Sequence, residues 1–239
     1  METDEARLDF ERAGSFGSIN EALLATCVEI KMNAADETFK CNNDSSFIIE
    51  SNAVYEDLKL SEVALCENAK IIDSEFTDCY FANCKFFQVN FFNCKFHNCI
   101  FENCNLASIS IKHTSFSNVK FSDTKLTGIH WSEASVPIDA IFRSCLMDYS
   151  SFIGVDLRKT ELFGCQLKSV DFTETNLSKS NCRYSDFTGA RFINTNLEYT
   201  DFIGATNYSI HPSGNKIRKA KFSLPDVLSL LDVYDIVIK

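Results

Sequence analysis

Proline and glycine are scarce in this chain, three and eight among 239 residues. Their scarcity excludes collagen-like and low-complexity readings and removes most of the usual turn punctuation. No run of 18 uncharged apolar residues exists, so the sequence offers no membrane-spanning helix. The opening METDEARLDFERAG carries acids and no apolar h-region, which sets the expectation of a cytoplasmic protein without a secretory signal. Bases are outnumbered 23 to 33, and the formal charge of −10 argues against chain-wide attraction to nucleic acid phosphates or anionic membranes. Also missing are the P-loop, the GxSxG nucleophile elbow and the HExxH zinc helix. Against these absences stand 22 Phe, 11 Cys and a 45% apolar composition, enough for a large core rich in rings and thiols. An odd number of cysteines without a signal peptide reads as reduced thiols rather than a disulfide framework.

The arrangement of the apolar residues is periodic at five, a spacing that belongs to neither an ordinary strand nor a helix. From Ile71 the centres run through Phe76, Phe81, Phe86, Phe91, Phe96 and Phe101, then by the same step to Trp131. After an eleven-residue step to Phe142 they resume and continue to Phe202, and all 26 are apolar. At this composition chance gives such a run about once in a billion. Two residues before each centre lies a small or β-branched one, such as Ser74, Cys79, Cys84, Thr114, Ala140, Val155 and Thr175, with Ile109 and Ile129 as larger exceptions. A large and a small residue point inward and three residues face water. That pattern closes on no helix face and persists in no flat strand. It predicts a square solenoid of twenty residues per coil, coils about 4.8 Å apart, with each centre stacked on the centre twenty residues away.

The units Val155-Asp156-Leu157, Val170-Asp171-Phe172, Thr175-Asn176-Leu177, Thr195-Asn196-Leu197 and Thr200-Asp201-Phe202 resemble the motif of the pentapeptide-repeat family. The resemblance covers about 71–207 and implies an all-β solenoid, a right-handed quadrilateral β-helix. Around it the chain divides into an acidic, partly helical amino-terminal cap (1–53), the β-helix (54–207) and a carboxy-terminal module (208–239). In the cap, Asp4 opens a short helix ended by Gly14, and Ser18-Ile19-Asn20-Glu21 is a capping box for a helix to about Met32. A small interruption at 132–141 carries one residue more than two regular units, which places a candidate protruding loop at Val136 and Pro137.

In the tail, Ser223-Leu224-Pro225-Asp226 reads as a helix start, followed by an apolar face and a strand-like DIVIK. This tail resembles the carboxy-terminal module of the bacterial quinolone-resistance and microcin-immunity members of that family. The resemblance implies a symmetric homodimer, formed here by Val227, Leu228, Leu231, Val233, Tyr234 and Ile236. It further implies that the paired rods bind DNA gyrase or topoisomerase IV as a mimic of duplex DNA, modulating the enzyme or protecting it from quinolone-like poisons. The alternative is a structural scaffold or secreted effector displaying its rod to a host or signalling protein, a reading favoured by the acidic amino-terminal segment. By segment the net charge is −9 over 1–70, −3 over 71–205 and +2 over 206–239, so the acids concentrate in the cap while the rod mixes signs.

Other chemistry has little support. Cys84, Cys94, Cys99 and Cys104 recur in an FxNC motif, but spacings of five and ten put them on different sides, as stacked spacers rather than metal ligands. His97, His113, His130 and His211 are scattered. The bases Lys216, Arg218, Lys219 and Lys221 have no aromatic platform near them in sequence, so no direct nucleic acid binding is expected. The expectation is a protein with no catalytic residue, no metal and no cofactor.

Overall fold

Every five residues the chain turns a corner, and the residue that turns it has a left-handed backbone. Two positions after nearly every centre, Trp131 excepted, φ is positive: 55° at Asn83, 53° at Asn93, 53° at Asn98, 50° at Asn103 and 52° at Asn118. Asn and Asp tolerate this region better than other L-residues, which explains the Asn of the FxNC motif. Lys159, Lys179, Tyr199 and Lys219 hold the same kind of corner further along.

The computed structural model describes residues 49–237, all within one compact unit, 34–239. The two helices expected before Met32 lie outside the described residues. What is described is a parallel β-solenoid of about eight turns with a short helix near its end. Short strands pair in register with those of the next coil: Tyr55 with Phe76, Phe76 with Phe96 and Phe96 with Phe116 on one face, and Leu60 through Phe81, Phe101, Phe121 and Phe142 to Leu162 on the next. Four faces result, here called the Phe76, Phe81, Phe86 and Phe91 faces after the centres they carry. The coiling begins earlier than the strict Phe frame, because Tyr55 and Leu60 are already buried centres. It ends later, with Phe222 stacked on Phe202 at 5.3 Å.

The core is a stack of flat rings. Phe81 and Phe101 lie 4.5 Å apart at 6°, Phe76 and Phe96 4.8 Å apart at 8°, and Phe121 and Phe142 5.3 Å apart at 5°. Neighbouring faces meet edge to face, as Phe76 does with Phe81 at 67°. The small residues are more than spacers, because most of their hydroxyls and thiols donate to the carbonyl of a centre in the preceding coil. Thr114 Oγ1 donates to Phe91 O (2.9 Å), Thr175 Oγ1 to Phe152 O (2.7 Å), Ser185 Oγ to Leu162 O (2.6 Å) and Cys99 Sγ to Phe76 O (3.3 Å). Cys, Ser and Thr alternate there because all three are small donors.

One-residue insertions are absorbed locally. Ala64 pairs with Lys85, 21 residues on, whereas Lys70 pairs with Asn90, 20 on, so one lies between 64 and 70. The second falls between Ser135 and Asp139, whose amides donate to Thr114 O and Phe116 O of the previous coil. There Ile138 turns inward, while Val136 is 73% exposed and Pro137 follows it through a cis peptide bond.

Candidate recognition surface

The interior of the described coils is filled. Trp131, Phe142, Phe152 and Phe172 are each almost wholly buried among neighbouring rings. Among the described residues no three His, Cys, Asp or Glu side chains are placed to hold a metal ion. All four histidines are exposed; His113 packs edge-on to Phe92, and His211 Nδ1 lies 2.9 Å from Ser213 Oγ.

Eight described cysteines are free and buried. Burial pushes the Cys94 thiol up to about 11 and raises Cys182 as well. Cys99 and Cys104 stand directly over Cys79 and Cys84, and these neighbouring thiols, with burial, raise them further. Cys84 N–H donates to Cys104 Sγ at 3.4 Å, the stacking expected of residues twenty apart. Cys66, in contrast to the all-thiol expectation, is disulfide-bonded. It sits in the inserted coil at a position outside the spacer series.

The outer surface of the described residues carries the features left to consider. The tail forms a 3-10 helix over Asp226–Tyr234, tethered by Ser229 Oγ donating to Tyr208 O (3.0 Å). Leu230 is buried and Val227 packs against the core, whereas Leu228, Val233, Tyr234 and Ile236 are exposed and Leu231 is half-buried. The six tail residues singled out in the sequence are thus divided, with four facing solvent. Val136 and Pro137 lie on the Phe76 face, far along the chain from the tail, and nothing joins the two groups into one site.

The charges of the rod pair across coils. Lys95 reaches Glu75 at 2.5 Å, Arg191 reaches Asp171 at 3.5 Å and Lys221 reaches Asp201 at 3.3 Å, each a coil apart. Arg143 and Glu161, 2.9 Å apart, are the least exposed of these pairs. Tyr80 OH donates to Glu102, and burial, with that carboxylate, pushes the phenol up to about 12. Asp156 is held below the usual carboxylate range by its hydrogen bonds with Arg158. These pairs alternate the charge along their faces, whereas Asp123 stands beside Glu102, and burial, with that carboxylate, raises its pKa.

Corner side chains form ladders of their own. Asn93 Nδ2 donates to Asp73 Oδ1 (2.6 Å), Asn98 to Asp78 (2.9 Å), Asn103 to Asn83 (2.6 Å) and Asn118 to Asn98 (2.9 Å). At the far end of the Phe76 face the corner carries Tyr199 instead, whose hydroxyl accepts from Arg218 Nη2 (3.1 Å) and is lowered in pKa by it. Sequence reasoning missed this residue because Tyr199 and its bases are a whole coil apart.

Comparison with known proteins agrees with this architecture. The model of a pentapeptide repeat region matches residues 74–152, and that of pentapeptide repeats (8 copies) matches 171–206. Two trypsin-treated forms of QnrB1, a plasmid-mediated fluoroquinolone resistance protein, superpose with TM-scores of 0.61. One is 17% identical and covers 78% of this chain and 100% of its own. The other is 18% identical and covers 77% and 99%. HetL, a pentapeptide repeat protein involved in heterocyst differentiation regulation from the cyanobacterium Nostoc sp. strain PCC 7120, is 17% identical over 72% of this chain and 86% of its own, with a TM-score of 0.39. No curated protein sequence matches. No described helix is long and apolar enough to cross a membrane.

Proposed function

Because the chain belongs to the pentapeptide-repeat family, we propose that it is a non-catalytic cytoplasmic protein that binds a type II topoisomerase, DNA gyrase or topoisomerase IV, and modulates it or protects it from quinolone-like poisons. The likeness to QnrB1, which extends over that whole chain, is the observation that carries this reading. The active form is a homodimer in which Leu228, Leu231, Val233, Tyr234 and Ile236 of two copies cover one another; the exposure of Leu228, Val233, Tyr234 and Ile236 on the tethered tail supports it. Recognition is by the shape of the rod and the charged and polar groups on it, with no bond made or broken, as suits a filled core.

The cross-coil ion pairs favour a second reading at one point. Where acids are matched by bases a coil away the negative stripe is broken, so contact through the tail, the loop at Val136 and Pro137, or a scaffold role toward another protein fits the rod better than imitation of a duplex. The deciding experiment is a supercoiling assay with purified gyrase, with and without ciprofloxacin. Altered supercoiling or recovery from the drug at micromolar protein is expected, and unchanged activity in both arms removes the topoisomerase reading.

A further inference from the structure

The last four coils of the Phe76 face carry a positive strip on a chain whose net charge is −10. Bridges from Asp156 to Asn176, Asn196 and Lys216 fix the register of these coils. The same register stacks Lys159, Lys179, Tyr199 and Lys219 at one left-handed corner, each about 4.8 Å from the next. Arg158 and Arg218 flank that corner, and Lys216 lies on the same face. Two acids lie on the face itself, Asp156 with Arg158 at 2.7 Å and Glu198 with Arg218 at 3.8 Å, and two lie just past the corner, Glu161 with Arg143 at 2.9 Å and Asp201 with Lys221 at 3.3 Å, so each is engaged by a base. Lys159 and Lys179 are exposed and stand in no ion pair among the described residues.

Tyr199 gives the row its chemical character. Its side chain is exposed at the corner, with Lys219 Nζ 5.3 Å and Arg218 Cζ 5.8 Å from the ring centre. A surface of cations alone fits any polyanion. A row of lysines with an aromatic ring set within it fits a chain that alternates phosphates with flat bases. The strip is one corner wide and roughly 14 Å long, too narrow to follow both backbones of a duplex, whose bases in any case are stacked away from a surface ring.

We propose that this strip of Lys159, Lys179, Tyr199, Arg218 and Lys219 is a binding site for single-stranded nucleic acid, the lysines meeting phosphates and Tyr199 stacking on a base. The proposal departs from the sequence expectation, in which the tail bases lacked an aromatic partner. The solenoid supplies one from nineteen residues upstream of Arg218.

Fluorescence anisotropy of a labelled oligothymidylate of roughly 20 nucleotides with the full chain tests this at about 50 mM salt. Saturable binding that weakens as salt rises is expected. The double variant Lys159→Glu/Lys179→Glu should weaken it by about 10-fold or more, and Tyr199→Ala by at least about 5-fold, with Tyr199→Phe retaining affinity. Lys112→Glu/Lys168→Glu, on other faces, should change affinity by less than about 2-fold. Circular dichroism of each variant confirms folding. Absence of saturable binding below about 100 µM protein, or retained affinity in the double variant, overturns the proposal. So does a labelled polyglutamate that binds as tightly and ignores Tyr199→Ala, since the strip would then be a site for acidic peptides.

Discussion

At the scale of the residue, the fold turns on which side chain accepts a left-handed corner. Gly154 and Gly204 occupy such corners at φ +69° and +71°, with different surroundings. A Cβ at Gly154 meets nothing within 4 Å, whereas one at Gly204 lies 2.4 Å from Tyr184 Cδ1. Gly154→Ala is therefore expected to cost about 1–2 kcal/mol from the corner alone, and Gly204→Ala roughly 1 kcal/mol more as the Tyr184 ring is displaced. Urea denaturation midpoints of the two variants measure the difference; equal losses refute the role of Tyr184. The thiols give a pH dependence. Burial raises Cys94 from 9.0 to about 11, so in this window the unfolded chain ionises while the folded one stays protonated. Stability from this group is whole below pH 9 and declines as pH rises through the folded value of about 11. Cys94→Ala should flatten that decline in denaturation curves taken from pH 8 to 10.5, and an unaltered slope counts against it.

At the scale of the element, the unit of stability is the column rather than the strand. A three-residue strand has little stability alone, but Phe101 is clamped between Phe81 at 4.5 Å and Phe121 at 5.1 Å. Phe101→Leu keeps an apolar plug yet forfeits both stacks, an expected loss of about 1–3 kcal/mol. Leu162 already occupies this column between coils, so the same swap is tolerated structurally and the variant should fold with an unchanged far-ultraviolet spectrum. The columns were legible in the sequence because five divides the coil and every centre from Phe76 to Phe202 is apolar. The chemistry of the small positions was less so, since Cys, Ser and Thr share size but reveal their common donor role only when Phe76 O, Phe91 O and Phe152 O lie beneath them. The corner role of Asn83, Asn93 and Asn98 was likewise hidden, because periodicity reports burial and not backbone angle.

At the scale of the whole molecule, surfaces are assembled from residues twenty apart, and this is where reading along the chain loses sight of them. Tyr199 and Lys219 are neighbours only because a full turn separates them. The 3-10 form of Asp226–Tyr234 also has a tertiary cause: Ser229 is tied to Tyr208 and Leu230 is buried, so the segment follows the end of the solenoid rather than its own propensity. For the homodimer reading, the full chain carrying Leu228→Glu/Ile236→Glu should have half the light-scattering mass of the unmodified protein and keep its circular dichroism. Equal masses would mean that the exposed tail does not join two copies.

The fixed pitch makes the protein a ruler. Each facet advances by one graduation per twenty residues, and the insertions beside Cys66 and Val136 are taken up within a single graduation, leaving the marks above and below aligned. Excising one whole graduation would bring distant decorations closer in an unchanged direction, whereas excising five residues would swing everything beyond the cut by a quarter circle. A partner that gauges length and one that gauges bearing would respond to different cuts.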